Sequence, residues 1–295
     1  MTEAARSNQI QELSTAFTNL VAKVESGIVS VHSHRSRSSG FVWRRGLIVT
    51  ADEALSEEGE FAITLPGGDT VAAQLAGRDA TTDVALLRVD HADLRPVLLE
   101  ASPVAAGALA MAVGAEGGTP TVAVGVVSRS TGPWRSLRGG EIGARIELDL
   151  RLRRTAEGGL TLNANGQAIG MVVFGPRRRV LVIPSATIER VAAKLERFGR
   201  IARGYIGLGL QPVAVEGGSK SGAMVMSVDP RGPGAEAGVY QGDIIVTWNN
   251  EPVRHVYSLL RALGPDSVGE TVTLGLRRAG ETKQVPLTIA ERTTA

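Results

Sequence analysis

Residues 77–87 read GRDATTDVALL, and this stretch sets the pattern for the first two thirds of the chain. The polar residues of this stretch, 77–82, form a predicted turn between two short apolar segments, 70–76 (TVAAQLA) and 83–89 (DVALLRV). Short segments of aliphatic and β-branched residues, separated by turn residues, are typical of β-strands. We therefore predict β-structure on both sides of this turn.

The same alternation continues outward in both directions. Roughly eleven or twelve such segments lie between residues 27 and 183, with turn sequences between them such as Pro66–Asp69 and Asn165-Gly166. Strands at this spacing favour a pair of β-barrels or a sandwich over alternating β-α-β units. The sequence predicts a mainly β fold.

Two segments have helical periodicity instead. In residues 3–25 an apolar stripe recurs every three or four positions and Gly27 ends it; its members are Ile10, Leu13, Phe17, Leu20 and Val24. In residues 185–198 we predict a second helix, with Ser185 as N-cap and Gly199 at its end. Its stripe consists of Ile188, Val191, Leu195 and Phe198.

Composition narrows the function classes. The chain has 295 residues with 43% hydrophobic residues, which suits one or two folded domains, and no cysteine for a disulfide, a thiol nucleophile or a thiolate metal site. A net charge of +2 argues against nucleic acid or an anionic membrane as the main partner. The run Arg177–Arg179 is interpreted as a solvated turn. The absence of an apolar leader or membrane span in the sequence predicts a cytoplasmic protein.

Several blocks in order resemble the HtrA/DegP group of trypsin-like serine proteases, which carry a C-terminal PDZ domain. The blocks are Gly46–Thr50, Gly77–Asp79 with Thr82–Leu87, Val122–Ser128, and Val182–Ser185 with the following helix and Gly199-Arg200. The resemblance implies a trypsin-like double six-stranded β-barrel followed by a PDZ domain. It divides the chain into an N-terminal amphipathic helix (1–26), a protease-fold domain (27–199), and a linker with the PDZ domain (200–295).

The family's catalytic triad is not kept in full. By the resemblance, Glu53 stands at the histidine position, Asp83 keeps the aspartate, and Glu157 stands at the serine position, where RRTAEGG (153–159) replaces Asn-Pro-Gly-Asn-Ser-Gly-Gly. Acyl transfer needs a hydroxyl nucleophile and a neutral base beside it. Thr155, at a glycine position of the oxyanion loop, is poorly suited to positive φ. The resemblance therefore predicts no conventional serine-protease activity.

Three carboxylates in one cleft require compensation. Two carboxylates ~6 Å apart at an effective dielectric constant of ~20 repel each other by roughly 3 kcal/mol. An ion pair with Arg151, Arg153 or Arg154, a bound divalent cation, and a shared proton are the alternatives, together with a loop that never brings the groups together. No metal site and no cofactor are predicted.

The last part of the chain resembles a complete PDZ domain. Its blocks are Gly204–Leu210, Asp229–Gly238 and Gln241–Ile245, with Ser258–Leu263 as the groove helix. The resemblance implies capture of a peptide C-terminus by backbone N–H groups and strand addition. The predicted peptide-binding residues are Tyr205, Ile206, Gly207, Leu208, Leu259 and Leu263.

Together these features predict a non-catalytic HtrA-like protein that binds protein or peptide C-termini as a scaffold or assembly factor. The alternatives are a hydrolase or endopeptidase with an unconventional carboxylate site, and a metal-binding accessory protein. The resemblance also implies a homo-oligomer, a trimer in the family.

Overall fold

The structure is a computed structural model that describes residues 3–34, 36–57, 59–91, 94–215 and 220–291. The chain divides into two compact units, one of Met1–Trp134 with Glu141–Arg200 and one of Arg135–Gly140 with Ile201–Ala295. Strands dominate both units, which confirms the predicted mainly β class with two six-stranded barrels and a PDZ domain. Among the described residues, no helix has the length and apolar character needed to cross a bilayer.

The first barrel begins after helix α1 (Glu3–Ala22) and a 3₁₀ turn (Glu25–Gly27). Its strands are β1 (Ile28–Ser33), β2 (Ser36–Arg44), β3 (Leu47–Thr50), β4 (Phe61–Thr64), β5 (Thr70–Asp79) and β6 (Val84–Val89). They close in the order β1-β2-β3-β6-β5-β4 around a core of aliphatic side chains. Helix α1 is shorter than predicted, and Ile10 from its apolar stripe is 71% exposed.

The second barrel closes in the order β11-β14-β13-β12-β7-β8. The strands of this part are β7 (Leu109–Glu116), β8 (Thr119–Thr131), the short β9 (Trp134–Arg135) and β10 (Glu141–Ile142), β11 (Arg145–Asp149), β12 (Leu160–Asn163), β13 (Ala168–Phe174) and β14 (Val180–Pro184). A 3₁₀ turn, Arg154–Ala156, lies between β11 and β12. This turn packs against β2 of the first barrel and β7 of the second.

Helix α2 (Ser185–Phe198) has the predicted bounds and ends at Gly199, whose φ of +70° is left-handed. It packs against β5 and β6 of the first barrel and against β13 and β14 of the second. Two details of the prediction are wrong. Pro184 takes the N-cap position while the Ser185 hydroxyl donates to Ala168 O at 2.9 Å, and Phe198 at the end of the stripe is exposed.

The second unit contains a five-stranded path and short flanking elements. The elements are β15 (Gly204–Tyr205), β16 (Leu208–Val215), β17 (Lys220–Val228), α3 (Pro233–Glu236), β18 (Ile244–Trp248), β19 (Glu251–Pro252), α4 (Val256–Ala262), β20 (Thr271–Arg278), β21 (Glu281–Thr288) and β22 (Ala290–Glu291). The order β16-β17-β18-β20-β21 leaves β16 at an edge, with Pro212 in its middle. Helix α4 packs against β16.

Candidate functional site

Glu53 and Asp83 lie together because β3 pairs with β6, with Thr50 opposite Ala85. The chain leaving β3 reaches Glu53 three residues later, and Asp83 immediately precedes β6. The Glu53 N–H donates to Asp83 Oδ1 at 2.7 Å. This hydrogen bond fixes the Asp83 carboxylate, whose residue has a left-handed φ of +59°.

The environment of Asp83 opposes its ionisation. Burial raises the pKa of Asp83 well above its ordinary value, and the charges of Glu53, Glu157 and Asp52 raise it further, while the Glu53 N–H acts in the opposite direction. All three predicted triad-position residues are therefore within electrostatic range of one another.

Glu157 lies between the 3₁₀ turn and Gly158. Its Oε1 accepts a hydrogen bond from the Phe174 N–H at 3.3 Å. Burial raises the pKa of Glu157 and so does the Glu53 charge, although the Phe174 N–H and the more distant Arg154 and Arg178 charges lower it. Within the described residues Glu157 forms no ion pair, so the expected salt bridge to Arg151, Arg153 or Arg154 is not formed.

The turn that precedes Glu157 uses its own backbone donors. The Ala156 N–H donates to Arg153 O at 3.0 Å, and the Glu157 N–H donates to Arg154 O at 3.1 Å. An oxyanion hole in the trypsin-like arrangement needs the N–H of the residue at the nucleophile position to be free for the substrate oxygen. In this turn a backbone carbonyl takes that donor. Thr155 is not among the described non-glycine residues with positive φ.

A buried serine that the sequence analysis missed holds this turn in place. The Ser39 hydroxyl donates to Thr155 O at 2.6 Å and accepts from the Ala115 N–H at 2.8 Å, while the Ser39 N–H donates to Glu157 O at 2.7 Å. Gly158 is also required, because a Cβ at this position would lie 2.3 Å from Ser39 O. No local sequence signal marks Ser39, since its partners are far away along the chain.

Asp52 was also missed by the sequence analysis. It is buried, and its Oδ1 accepts from Arg78 Nε at 2.5 Å. The Arg78 guanidinium also donates to Asp52 O at 3.3 Å. Arg78 therefore neutralises the carboxylate next to Glu53 but does not pair with Glu53 or Asp83 in these contacts.

Among the described residues, no histidine ring is hydrogen-bonded to a serine hydroxyl. His32 contacts the Thr64 hydroxyl at 2.7 Å on the first barrel, where burial and the Arg37 charge lower the pKa of the His32 imidazole. The described part of the chain also contains no group of three or more His, Asp or Glu side chains that could hold a metal ion. The geometry at Glu53, Asp83 and Glu157 is that of a partly buried carboxylate cluster.

The PDZ unit presents a separate candidate site at the start of β16. The Tyr205 hydroxyl donates to Asp229 Oδ2 at 2.8 Å, and the Asp229 N–H donates to Gly207 O at 2.8 Å, so the loop before β16 is held from both sides. Gly207 has a φ of +69°, and a Cβ there would lie 3.0 Å from Gly232 Cα. Within the described residues, the Ile206 and Gly207 N–H groups donate to no acceptor. Two adjacent N–H groups of this kind suit a carboxylate.

The predicted lining residues fall into two groups. Leu208 and Leu263 are half-buried and pack against the core, whereas Ile206 and Leu259 are buried in it and support the groove from below. Leu260, which the prediction left out, is 42% exposed on α4. Helix α4 begins at Val256, two residues earlier than predicted. Of its two adjacent leucines, Leu259 faces the core and Leu260 does not.

Comparisons with known proteins agree with this architecture. Residues 38–171 match the family described as trypsin-like peptidase domain, and residues 204–289 match the family described as PDZ domain. A probable periplasmic serine endoprotease DegP-like protein of Bartonella henselae is 31% identical over 281 residues, which cover 86% of this chain and 54% of the relative. Its counterpart in Rhizobium meliloti is 29% identical over 273 residues, covering 86% and 53%. The chain thus spans about half the length of the curated relatives it matches.

Solved structures give the same result. The serine endoprotease from Yersinia pestis is 26% identical, with a TM-score of 0.70 over 94% of this chain and 98% of that one. The HtrA-type protease AlgW with decapeptide is 19% identical and has a TM-score of 0.70 over 95% and 99% of the two chains, which shows a shared fold. The curated relatives are named periplasmic, which counts against the predicted cytoplasmic location.

Proposed function

The chain is an HtrA/DegP-like protein in which a trypsin-like peptidase domain is joined to a PDZ domain, and from this premise we propose that it is a non-catalytic member that binds peptide or protein segments. Its role is that of a scaffold or assembly factor, exercised through the groove between β16 and α4. The observation that carries the proposal is the Glu157 turn. By the resemblance Glu157 stands at the nucleophile position, and the Glu157 backbone N–H donates to Arg154 O.

Two physical effects act against acyl transfer at this turn. A Glu157 carboxylate would repel the negative charge that develops on the substrate oxygen, and the donor that would stabilise this oxygen is taken by a carbonyl. The loop is also held by Ser39 and Gly158, so freeing the N–H requires the loss of several hydrogen bonds. The relatives are named endoproteases, so the proposal rests on the residues of this chain and not on those names.

The test of the catalytic half is direct. The purified full chain is incubated with unfolded casein and with a fluorophosphonate probe, beside a conventional serine protease as a positive control. We expect no casein fragments and no labelling. Casein cleavage by the parent chain that is lost in the Glu157→Ala variant would overturn the proposal.

Such turnover would favour the alternative, a hydrolase with an unconventional carboxylate site. The raised pKa values of Asp83 and Glu157 support this alternative, because a protonated and an ionised carboxyl group close together can act as general acid and general base in the attack of a water molecule. Its activity would rise toward acidic pH, so the casein assay is run at pH 4, 5.5 and 7.5.

The binding half rests on the free N–H groups of Ile206 and Gly207 and on the apolar groove beside them. We expect fluorescent peptides with a free, apolar C-terminus to bind, and the same peptides with an amidated C-terminus to bind at least tenfold more weakly. Leu260→Glu should abolish binding. Met226→Glu, an equally exposed aliphatic residue on β17, is the matched control and should bind normally. Equal affinity for free and amidated peptides would contradict carboxylate capture.

The proposal includes a homo-oligomer, a trimer by the family resemblance. Mass photometry of the full chain measures the number of copies directly. A predominantly monomeric species at micromolar concentration would remove this part of the proposal and leave the peptide groove untouched.

A further inference from the structure

Six exposed arginines lie in two loops of the second barrel. Arg151, Arg153 and Arg154 follow β11, and Arg177, Arg178 and Arg179 form the turn between β13 and β14. We call these six residues the arginine rim.

The two loops lie at the same end of adjacent strands. Strand β11 pairs with β14, with Leu148 opposite Val180, so the chain leaves β11 beside the point where it enters β14. Arg154 and Arg178, one from each loop, both act electrostatically on the Glu157 carboxylate. The rim therefore borders the carboxylate cluster.

The positive charge of the rim is largely uncompensated. Among the described residues, Arg179 is the single rim member with an ion pair, and its guanidinium lies 3.4 Å from Glu147 Oε2. The Glu147 carboxylate is shared with Arg145 at 2.6 Å and Arg129 at 3.9 Å. Arg178 lies over the Phe174 ring, with its guanidinium carbon 5.1 Å from the ring centroid. The other rim residues form no ion pair with the part of the chain that the structure describes.

The turn itself has a backbone that arginine does not favour. Arg177 and Arg178 have φ of +59° and +57°, and the Arg179 N–H donates to Pro176 O at 3.4 Å. Positive φ at both central positions defines a type I′ turn, for which Asn-Gly is the usual sequence. A side chain with a Cβ raises the free energy of this conformation, so the turn would be more stable without the arginines. Strain that is kept in this way is typical of functional positions.

We propose that the arginine rim binds an acidic peptide segment, whose carboxylate side chains contact the two loops while a neutral stretch of its backbone crosses the carboxylate cluster. Each arginine offers a planar fork of N–H donors that matches a carboxylate. This surface is additional to the PDZ groove and needs no free C-terminus.

A peptide fits this surface better than a nucleic acid or a membrane. Double-stranded DNA carries one negative charge per ~1.7 Å of axis, so some of its phosphates would face the carboxylates of Glu53, Asp83 and Glu157 and be repelled by them. A peptide can place a neutral segment at this position. Phe174, the aromatic ring at the rim, lies under Arg178 and is not open for base stacking. The net charge of +2 is also small for a chain that binds polyanions generally.

The test uses a fluorescent 14-residue peptide with glutamates at both ends and a glycine-serine centre, acetylated and amidated so that the PDZ groove cannot capture its terminus. Anisotropy is measured with the full chain at 50 and 300 mM salt. We expect saturable binding that weakens at the higher salt, no binding of the glutamine analogue, and unchanged binding in Leu260→Glu.

The decisive variant is Arg177→Asn/Arg178→Gly, which removes two charges and supplies the preferred turn sequence. We expect at least about fivefold weaker binding, from two lost ion pairs of ordinary strength, with a melting temperature equal to or above that of the parent. The matched control Arg88→Ser/Arg95→Ser removes two exposed arginines from the first-barrel part of the chain and should bind normally. Equal losses in both variants, no acidic-peptide binding, or tighter binding of single-stranded DNA, polyphosphate or anionic phosphatidylserine vesicles would overturn the proposal.

Discussion

Replacing Ser39 by alanine is expected to destabilise the barrel unit far more than the same change at its neighbour Ser38. Both side chains are buried on β2, but the Ser38 hydroxyl has no hydrogen-bond partner among the described residues, whereas the Ser39 hydroxyl joins Ala115 N–H to Thr155 O. A buried polar group left without its partner costs about 1–3 kcal/mol. The Ala115 N–H is fully buried, while Thr155 is partly open to water, so we expect Ser39→Ala to cost about 2–4 kcal/mol.

Urea unfolding measures this difference. In a Trp248→Phe background the fluorescence reports Trp43 and Trp134, which both belong to the barrel unit. Ser38→Ala should change the free energy of unfolding by less than about 0.5 kcal/mol or raise it, because the variant removes an unsatisfied hydroxyl. Equal losses in the two serine variants would refute the reasoning, since they would show that the cost comes from volume and not from hydrogen bonds.

Three further changes test the electrostatics and the backbone. Burial and a neighbouring carboxylate raise the pKa of Glu157. The contribution of such a group to stability is lost as pH rises through its folded pKa. Glu157→Gln should therefore melt at a higher temperature than the parent at pH 8, and the difference in melting temperature should close toward pH 4. Burial alone would raise the pKa of Asp243, but the Arg278 guanidinium at 2.7 Å lowers it overall. Arg278→Met should therefore destabilise the PDZ unit near neutral pH, and the parent should lose this stability as pH falls through the Asp243 pKa. Gly158→Ala should lower the free energy of unfolding by at least about 2 kcal/mol, because φ at this position is +83° and the new Cβ meets a carbonyl oxygen. Gly107→Ala, where φ is +89° but the space around the Cβ is open, should lower it by only about 1 kcal/mol. Thermal melting over pH 3–9 and urea unfolding measure all three effects. A difference in melting temperature between Glu157→Gln and the parent that stays constant with pH would contradict the Glu157 prediction.

The parts of the fold that depend on neighbouring residues could be predicted from the sequence. Helix α2 has the predicted bounds because its apolar stripe and its glycine stop lie within one segment. The β-class follows from short alternating segments and turn residues, whereas the PDZ domain was expected from the family resemblance of its sequence blocks. In the predicted N-terminal stripe, Ile10 and Leu13 are exposed whereas Val24 is buried. Periodicity shows which face is apolar and not whether another element covers it.

The candidate site could be predicted only in part. Glu53, Asp83 and Glu157 were identified as a set from their blocks, but the state of the turn beside Glu157 depends on Ser39, which is 116 residues away from Thr155 along the chain. The sequence also did not indicate which of the adjacent residues Leu259 and Leu260 would be exposed. In a seven-residue helix a small shift in its start rotates every side chain, and this phase is set by packing against β16.

Pro212 in the middle of β16 limits what can join that strand. Proline has no N–H to donate, so a second strand that aligns along β16 cannot continue a full ladder past this residue. The proline therefore limits how far an added strand can pair along β16. A peptide that adds to this strand as proposed would be restricted to its first half, before Pro212.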